Sequence, residues 1–339
     1  MTSRTLTADR GDAARRLDLM VCRHLQGLDS ATRTRVQRWI ENGCVSVNGA
    51  IVRRVAARTS VGDVVTVVLP LAAARPVMVA ENGSLRILYE DEHLIVVDKP
   101  PGLVVHPTYK HMTGTTMNAL LWRAREWPAG HRPSIVGRLD RLTSGIVVAA
   151  KTPAIHAALQ RELQSSGSEK DYLAVVYGRV NAARGEIDLA LCRNPNDRRR
   201  MMVSPGPGAR SVTRFERLAR VPAPRAGLSL LRCRLVTGRT HQIRVHLAAR
   251  GWPVVGDPVY AEPRWSAVDD RAVADLLRAF PRQALHAWRL GVVHPLTRRK
   301  LFVEAPIPDD IERLITGVSL NLPFLRRMTL QPRGDHPHQ

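Results

Sequence analysis

A single carboxylate, Asp140, lies between two Arg residues in the stretch Gly137-Arg138-Leu139-Asp140-Arg141-Leu142-Thr143-Ser144-Gly145, and an apolar run, Ile146 to Ala150, follows it. The small Thr-Ser-Gly turn lets another backbone approach closely. Taken alone, an Asp flanked by Arg reads as a structural ion pair. It does not stand alone, because three other blocks carry side chains of chemical use. They are Asp98-Lys99-Pro100-Pro101-Gly102-Leu103-Val104-Val105-His106-Pro107, Glu169 to Gly178 with Tyr172 inside it, and Leu235-Val236-Thr237-Gly238-Arg239-Thr240-His241-Gln242-Ile243-Arg244-Val245-His246. A carboxylate desolvated in a pocket tends to take up a proton, and a nearby guanidinium opposes that. The histidines suggest no metal. His241 and His246 fall on different faces of a helix, and His106 and His111 lack the further ligands that zinc needs. His286 and His294 read as core or surface residues, and Trp122, Trp127 and Trp288 as packing.

Two sets of elements must position these residues. Residues 15–70 read as a small basic module. Leu17, Val21 and Leu25 share one face of a helix. A second helix follows Asp29-Ser30, read as its N-cap, carries Arg33, Arg35 and Arg38, and stops at Asn42-Gly43. Val45 to Val47 forms a strand leading into Asn48-Gly49, the strongest hairpin dipeptide, and Val64 to Leu69 closes the module. Residues 71–84, with Pro76 and Gly83, read as a linker. From residue 85 to 320 strands dominate: Leu85 to Tyr89, Leu94 to Val97, Ile146 to Ala150, Lys170 to Val176, Leu228 to Leu235, Leu285 to Val293 and Leu301 to Glu304. Helices are expected over Thr116 to Glu126, Pro153 to Gln164 and Thr240 to Arg250. The absence of regular βαβ alternation predicts α+β with a mainly antiparallel mixed sheet. The basic run Arg193, Arg198, Arg199, Arg200, Arg210 and Arg214 reads as a loop, and residues 327–339 as a disordered tail.

The charge points to a partner. The chain has 339 residues, with Lys+Arg 51 against Asp+Glu 30 and a formal net charge of +21. That excess seeks a polyanion. The cations are nearly all Arg, whose fork suits phosphate and stacks on bases. The start of the chain shows no secretory h-region, and the longest apolar run, Val64 to Ala74, is too short to span a membrane. The sparse cysteines form no C-x-x-C pair and read as reduced thiols, so a cytoplasmic location is expected. No phosphate-binding loop, dinucleotide fingerprint or zinc-hydrolase motif appears.

The four blocks, with Ala284-Leu285-His286-Ala287 and His294-Pro295, resemble in their order the RluA-type family of RNA pseudouridine synthases, from about Leu85 to Glu304. The Arg33 to Arg38 run, Val45-Ser46-Val47-Asn48-Gly49 and Val61-Gly62-Asp63 resemble the S4 RNA-binding domain, here of small α/β, αL type. The resemblance implies an isomerase that breaks the N-glycosidic bond of a uridine, turns the base and rejoins it through C5, with no cofactor and no metal. It implies that Asp140 is the catalytic carboxylate, that Arg239 pairs with it and keeps it charged, and that Tyr172 stacks on the uracil. Leu139 and Ile243 are expected as apolar pocket walls. Arg138 would fill the space a flipped base leaves. Arg198, Arg199, Arg200, Arg232 and Arg234, with Arg33, Arg35 and Arg38, are expected to bind RNA. The expected partner is structured RNA, 23S rRNA in the large-subunit precursor, acted on by a monomer. The rival substrate is tRNA, and the rival from another class is an inactive RNA-binding or ribosome-assembly protein. Where the family often has His before Arg138, this chain has Gly137.

Overall fold

The computed structural model describes residues 2–28, 31–69, 78–108, 111–197, 199–221, 227–261, 264–268 and 270–320. The chain divides into two compact units, residues 1–77 and 78–339. The first holds β1 (Thr2–Thr7), α1 (Leu17–His24), α2 (Arg33–Glu41), β2 (Val45–Val47), β3 (Ala50–Ile51) and β4 (Val64–Leu69). Its strands form an antiparallel sheet in the order β1-β4-β2-β3. Leu17, Met20, Val21, Val36, Ile40, Val45, Val65 and Val67 close over its core. Asn48 and Gly49 both have positive φ, as a two-residue hairpin turn with the right twist demands. Strand β1 was not legible in sequence. It joins through backbone pairing, and almost all its side chains face water, so it shows no apolar alternation. The N-cap of α2 is Thr32; Asp29 and Ser30, expected there, lie outside the described residues.

The second unit runs β5 (Arg86–Glu90), β6 (Leu94–Lys99), α3 (Thr116–Arg123), β7 (Ser134–Val136), β8 (Ser144–Ala150), α4 (Pro153–Gln164), β9 (Glu169–Tyr177), β10 (Arg184–Asp188), β11 (Leu191–Arg193) and β12 (Met201–Val203). It continues with β13 (Val212–Val221), β14 (Leu228–Leu235), α5 (Gln242–Ala249), α6 (Arg271–Ala279), β15 (Leu285–Val293), β16 (Lys300–Glu304) and α7 (Asp309–Gly317). One large sheet has the order β10-β13-β14-β9-β15-β8-β6-β5, with β16 beside β15 and β7 beside β8. Among the described strands only β8 and β15 pair in parallel, so the fold is α+β and mainly antiparallel. The basic segment read as a loop is in part a short hairpin, β11 with β12, that leads into β13, with Arg199 and Arg200 in its connecting loop. Its strands are three residues each, too short to show a period of two. Half of the expected linker (residues 71–77), the expected tail and Arg198 lie outside the described residues. Among the described residues no helix is long and apolar enough to cross a membrane.

Strand β15 holds the sheet's two halves together and, with them, the chemistry. On one side Ala287 pairs with Gly145 of β8, and on the other with Tyr172 of β9. Gly145 has φ +107, and a Cβ there would stand 2.1 Å from the Ala287 carbonyl oxygen. No side chain fits. Gly145→Ala is expected to cost roughly 3 kcal/mol or more, through the clash and the left-handed backbone together. Denaturant unfolding of the variant checks this, and a loss below about 1 kcal/mol would mean that β8 and β15 are farther apart than described.

Candidate active site

Asp140 sits in the loop between β7 and β8, and that loop is tied down residue by residue. The Arg141 carbonyl accepts from the Gly102 amide at 2.8 Å and from Lys99 Nζ at 3.1 Å. The Leu142 carbonyl accepts from Arg282 Nη1 at 3.2 Å, and Thr143 Oγ1 accepts from Gln283 Nε2 at 3.0 Å. Ser144 Oγ meets His286 Nδ1 at 3.0 Å. Arg282 is anchored in turn on Asp310 of α7 by bonds of 2.6 and 2.8 Å. A loop fixed at so many points can present one side chain in one place.

Lys99 lies wholly inside this scaffold, donating also to the Pro100 and Leu103 carbonyls. Burial, helped by Arg282 and opposed by Asp140 and Asp98, pushes its ammonium down to about 7. In the unfolded chain the group keeps its proton up to about pH 10.4. Between those values the unfolded state binds more protons than the folded one, so this site's contribution to stability rises with pH from about 7 upward. The difference in unfolding free energy between wild type and Lys99→Met should therefore grow from about pH 7 to pH 9. A difference that stays flat over that range would refute the assignment.

Around the loop lies a cavity of about 510 Å³, lined by Arg138, Leu139, Asp140, Tyr172, Arg239, His241, Ile243 and Arg244 among others. Asp140 is partly open to it, its side chain 17% exposed. Its Oδ2 accepts from Arg244 Nη1 at 2.9 Å. The other two donors of that guanidinium, Nε and Nη2, reach Asp257 at 2.6 and 2.8 Å. Asp257, whose side chain is fully buried, also accepts from the Val259 and Tyr260 amides. One arginine thus bridges a buried anchor and an acid at the cavity. Asp140 Oδ1 has His241 Nε2 at 3.7 Å, beyond hydrogen-bond reach.

This corrects the expected pairing: the guanidinium against Asp140 belongs to Arg244, not Arg239. Arg239 lines the same cavity, but it is exposed and its Nε donates to the Arg210 carbonyl at 3.2 Å. The reason is the phase of α5. Arg239 precedes the helix, whereas Arg244 lies on its inward face, 4% exposed among Ile243, Val245 and Leu247. That signal was available, since one Arg between Ile and Val on an apolar helix needs a buried counter-ion. His241 is corrected too. It is not on the helix with His246 but caps its start, with φ +56. There it faces Asp140, while His246 is buried against Thr213 Oγ1 and the Leu189 carbonyl. Burial, with Arg244 and Arg138 adding to it and Asp140 opposing, lowers the His241 pKa below its ordinary value.

Tyr172 packs against both halves of the core. Burial and, after it, the Asp140 charge push its phenol above the ordinary range, so at neutral pH it is an O–H. Leu139 and Ile243 are at once core residues and cavity walls. Arg138 is exposed at the cavity. Arg232 is ion-paired with Glu216, and Arg234 with Asp171 and Glu169, so both are engaged within the sheet. Arg199 pairs with Asp197, and Arg200 donates to the Val259 carbonyl beside Tyr260. In the first unit Arg33 leans on Asp18, and Arg38 is exposed on α2 with Arg35 half-buried near it.

Comparisons with known proteins place a family match in each of the two units. A family model described as RNA pseudouridylate synthase matches residues 93–249, and one described as S4 domain matches residues 15–65. A protein of Nitrosomonas europaea named ribosomal large subunit pseudouridine synthase D is 40% identical over 318 residues, covering 94% of this chain and 88% of its own. One of the same name from Pseudomonas aeruginosa is 39% identical, over 84% of this chain and 87% of its own. A solved human structure, RNA pseudouridylate synthase domain containing 1, aligns with a TM-score of 0.51 at 26% identity, covering 71% of this chain and 98% of its own. A second, domain containing 4, gives a TM-score of 0.56 at 21% identity over 70% of this chain and 94% of that one, and so supports the fold.

Proposed function

Since the chain belongs to the RNA pseudouridylate synthase family, we propose that it isomerises uridine in large-subunit ribosomal RNA, with Asp140 as the acting carboxylate. The carrying observation is the Oδ1 of Asp140, which has no hydrogen-bond partner among the described residues, at a cavity where Arg244 holds the other oxygen and Tyr172 forms a wall. The reaction breaks the bond between N1 and C1′, turns the uracil within the cavity, joins C5 to C1′, and exchanges the C5 proton for one on N1. Atoms balance, with no redox step. A recessed cavity reaches a uridine only after that base leaves its stack, which costs a few kcal/mol. Phosphate contacts by Arg199 and Arg200 on the β11–β12 hairpin and by Arg33, Arg35 and Arg38 on α2 supply that energy, and Arg138 at the cavity fills the space the base leaves. Arg232 and Arg234 are instead engaged in ion pairs within the sheet. Tyr172, kept protonated, serves as an aromatic surface for the base rather than as a proton acceptor.

Relatives named for the ribosomal large subunit favour that RNA. Pseudouridine mapping of total RNA, with and without the gene, tests the choice. The expected result is loss of one or a few pseudouridines confined to large-subunit ribosomal RNA, restored by the wild-type gene. Loss confined to tRNA would overturn the substrate, and an unchanged map would overturn the activity.

A further inference from the structure

His241 has three features that its place at the start of α5 does not require. Its backbone is left-handed, φ 56 and ψ 17, which a non-glycine residue adopts at a cost and which gathers at functional sites. Its side chain makes no capping bond to the helix. Instead Nδ1 is 2.8 Å from the Tyr260 hydroxyl, with the two rings edge to face. The Tyr260 oxygen already accepts from the Met201 amide at 2.8 Å. Among the described residues Nδ1 is the one acceptor within reach of the Tyr260 proton, and taking it leaves the imidazole proton on Nε2. A nitrogen that holds a proton cannot remove one. His241 therefore presents a hydrogen-bond donor to the cavity, not a base.

That donor and Asp140 Oδ1 are 3.7 Å apart. The gap is too long for a bond between them, yet an oxygen placed about 2.8 Å from each would bond to both. It must accept from Nε2–H and donate to the carboxylate, which a hydroxyl does and a carbonyl or phosphate oxygen does not. Within an RNA chain the 3′ and 5′ oxygens of each sugar are esterified, and the free sugar hydroxyl is the 2′-OH. We propose that His241, fixed by Tyr260, binds the 2′-hydroxyl of the target uridine together with Asp140, and so restricts the enzyme to ribose. Holding the sugar at this point would also keep it in place while the base turns. Asp140, Arg244, Asp257, Arg138 and Tyr260 are the charged and titratable groups about the ring. The proposal rests on the uridine-isomerising reading of the cavity.

The test uses a short RNA spanning the mapped uridine and the same RNA with 2′-deoxyuridine at that one position. Single-turnover conversion gives the half-saturating concentration of the first, and inhibition of that conversion gives the inhibition constant of the second. The wild-type enzyme should hold the deoxy RNA about tenfold more weakly, the effect of one hydrogen bond to a buried partner. In His241→Asn, which tolerates the left-handed backbone but is too short to reach, the ratio should fall to about threefold or less, the part that the bond to Asp140 alone leaves. Tyr260→Phe keeps the ring and frees the imidazole, and its ratio should lie between. A ratio near one in the wild type, or a tenfold ratio surviving in His241→Asn, would overturn the proposal. Failure of the wild-type enzyme to convert the uridine RNA would instead strike at the reading on which it rests.

Discussion

Asp140→Asn is expected to lower uridine conversion by roughly 10⁴-fold or more, the scale seen when the central group of a catalytic set is removed. RNA affinity should change by less than about threefold, because the phosphate contacts that dominate it lie elsewhere. The substitution is nearly isosteric, and its amide oxygen can still accept from Arg244, so the loop between β7 and β8 should keep its shape. Stability should move by no more than about 1 kcal/mol. Rate and affinity measured on the same RNA at one salt concentration separate the two effects. Conversion within about tenfold of wild type would remove Asp140 from the chemistry.

Arg244→Met should be nearly as damaging to activity, and for a second reason it should also harm the fold. The guanidinium gives one donor to Asp140 and two to Asp257, whose side chain has no exposure. Removing it leaves a buried carboxylate facing a thioether. Breaking a buried pair from one side costs about 3–5 kcal/mol, because the remaining charge keeps its two amide donors but loses its counter-ion. Arg244→Lys should fail as well, since one ammonium cannot reproduce a fork shared between two acids. Arg239→Ala is the control. That side chain is exposed, and its one hydrogen bond among the described residues is to the Arg210 carbonyl. Its loss should leave stability within about 0.5 kcal/mol. Unfolding curves of the three variants decide between the two arginines. If Arg239→Ala were the destabilised protein and Arg244→Met were not, the site would be wrongly described.

How much of this was legible beforehand depends on the range over which each feature is encoded. The turn at Asn48-Gly49, the helix from Pro153 with its first-turn proline, and the alternating strand over Leu228 to Leu235 are written in residues a few positions apart, where backbone preference and apolar period act. Strand β1 and the β11–β12 hairpin were not. One hides its pattern by facing water on both sides, and the other is too short to have one.

The same division runs through the site. The sequence alone determined that a basic α+β chain carries one acid in a constrained turn, a tyrosine on a strand and an Arg-rich block near a helix. Only the tertiary structure decided which guanidinium meets Asp140, because Arg244 and Asp140 are separated by 104 positions. The phase of α5 turns Arg244 inward and leaves Arg239 at the rim, and that phase depends on where the helix starts. A shift of one residue rotates each side chain by about 100°. His241 became part of the site for the same reason, since its left-handed backbone ends the loop and aims the ring at Asp140. No spacing rule within the chain encodes such a pairing, because it is made by packing α5 beside a loop that β15 and α7 hold in place.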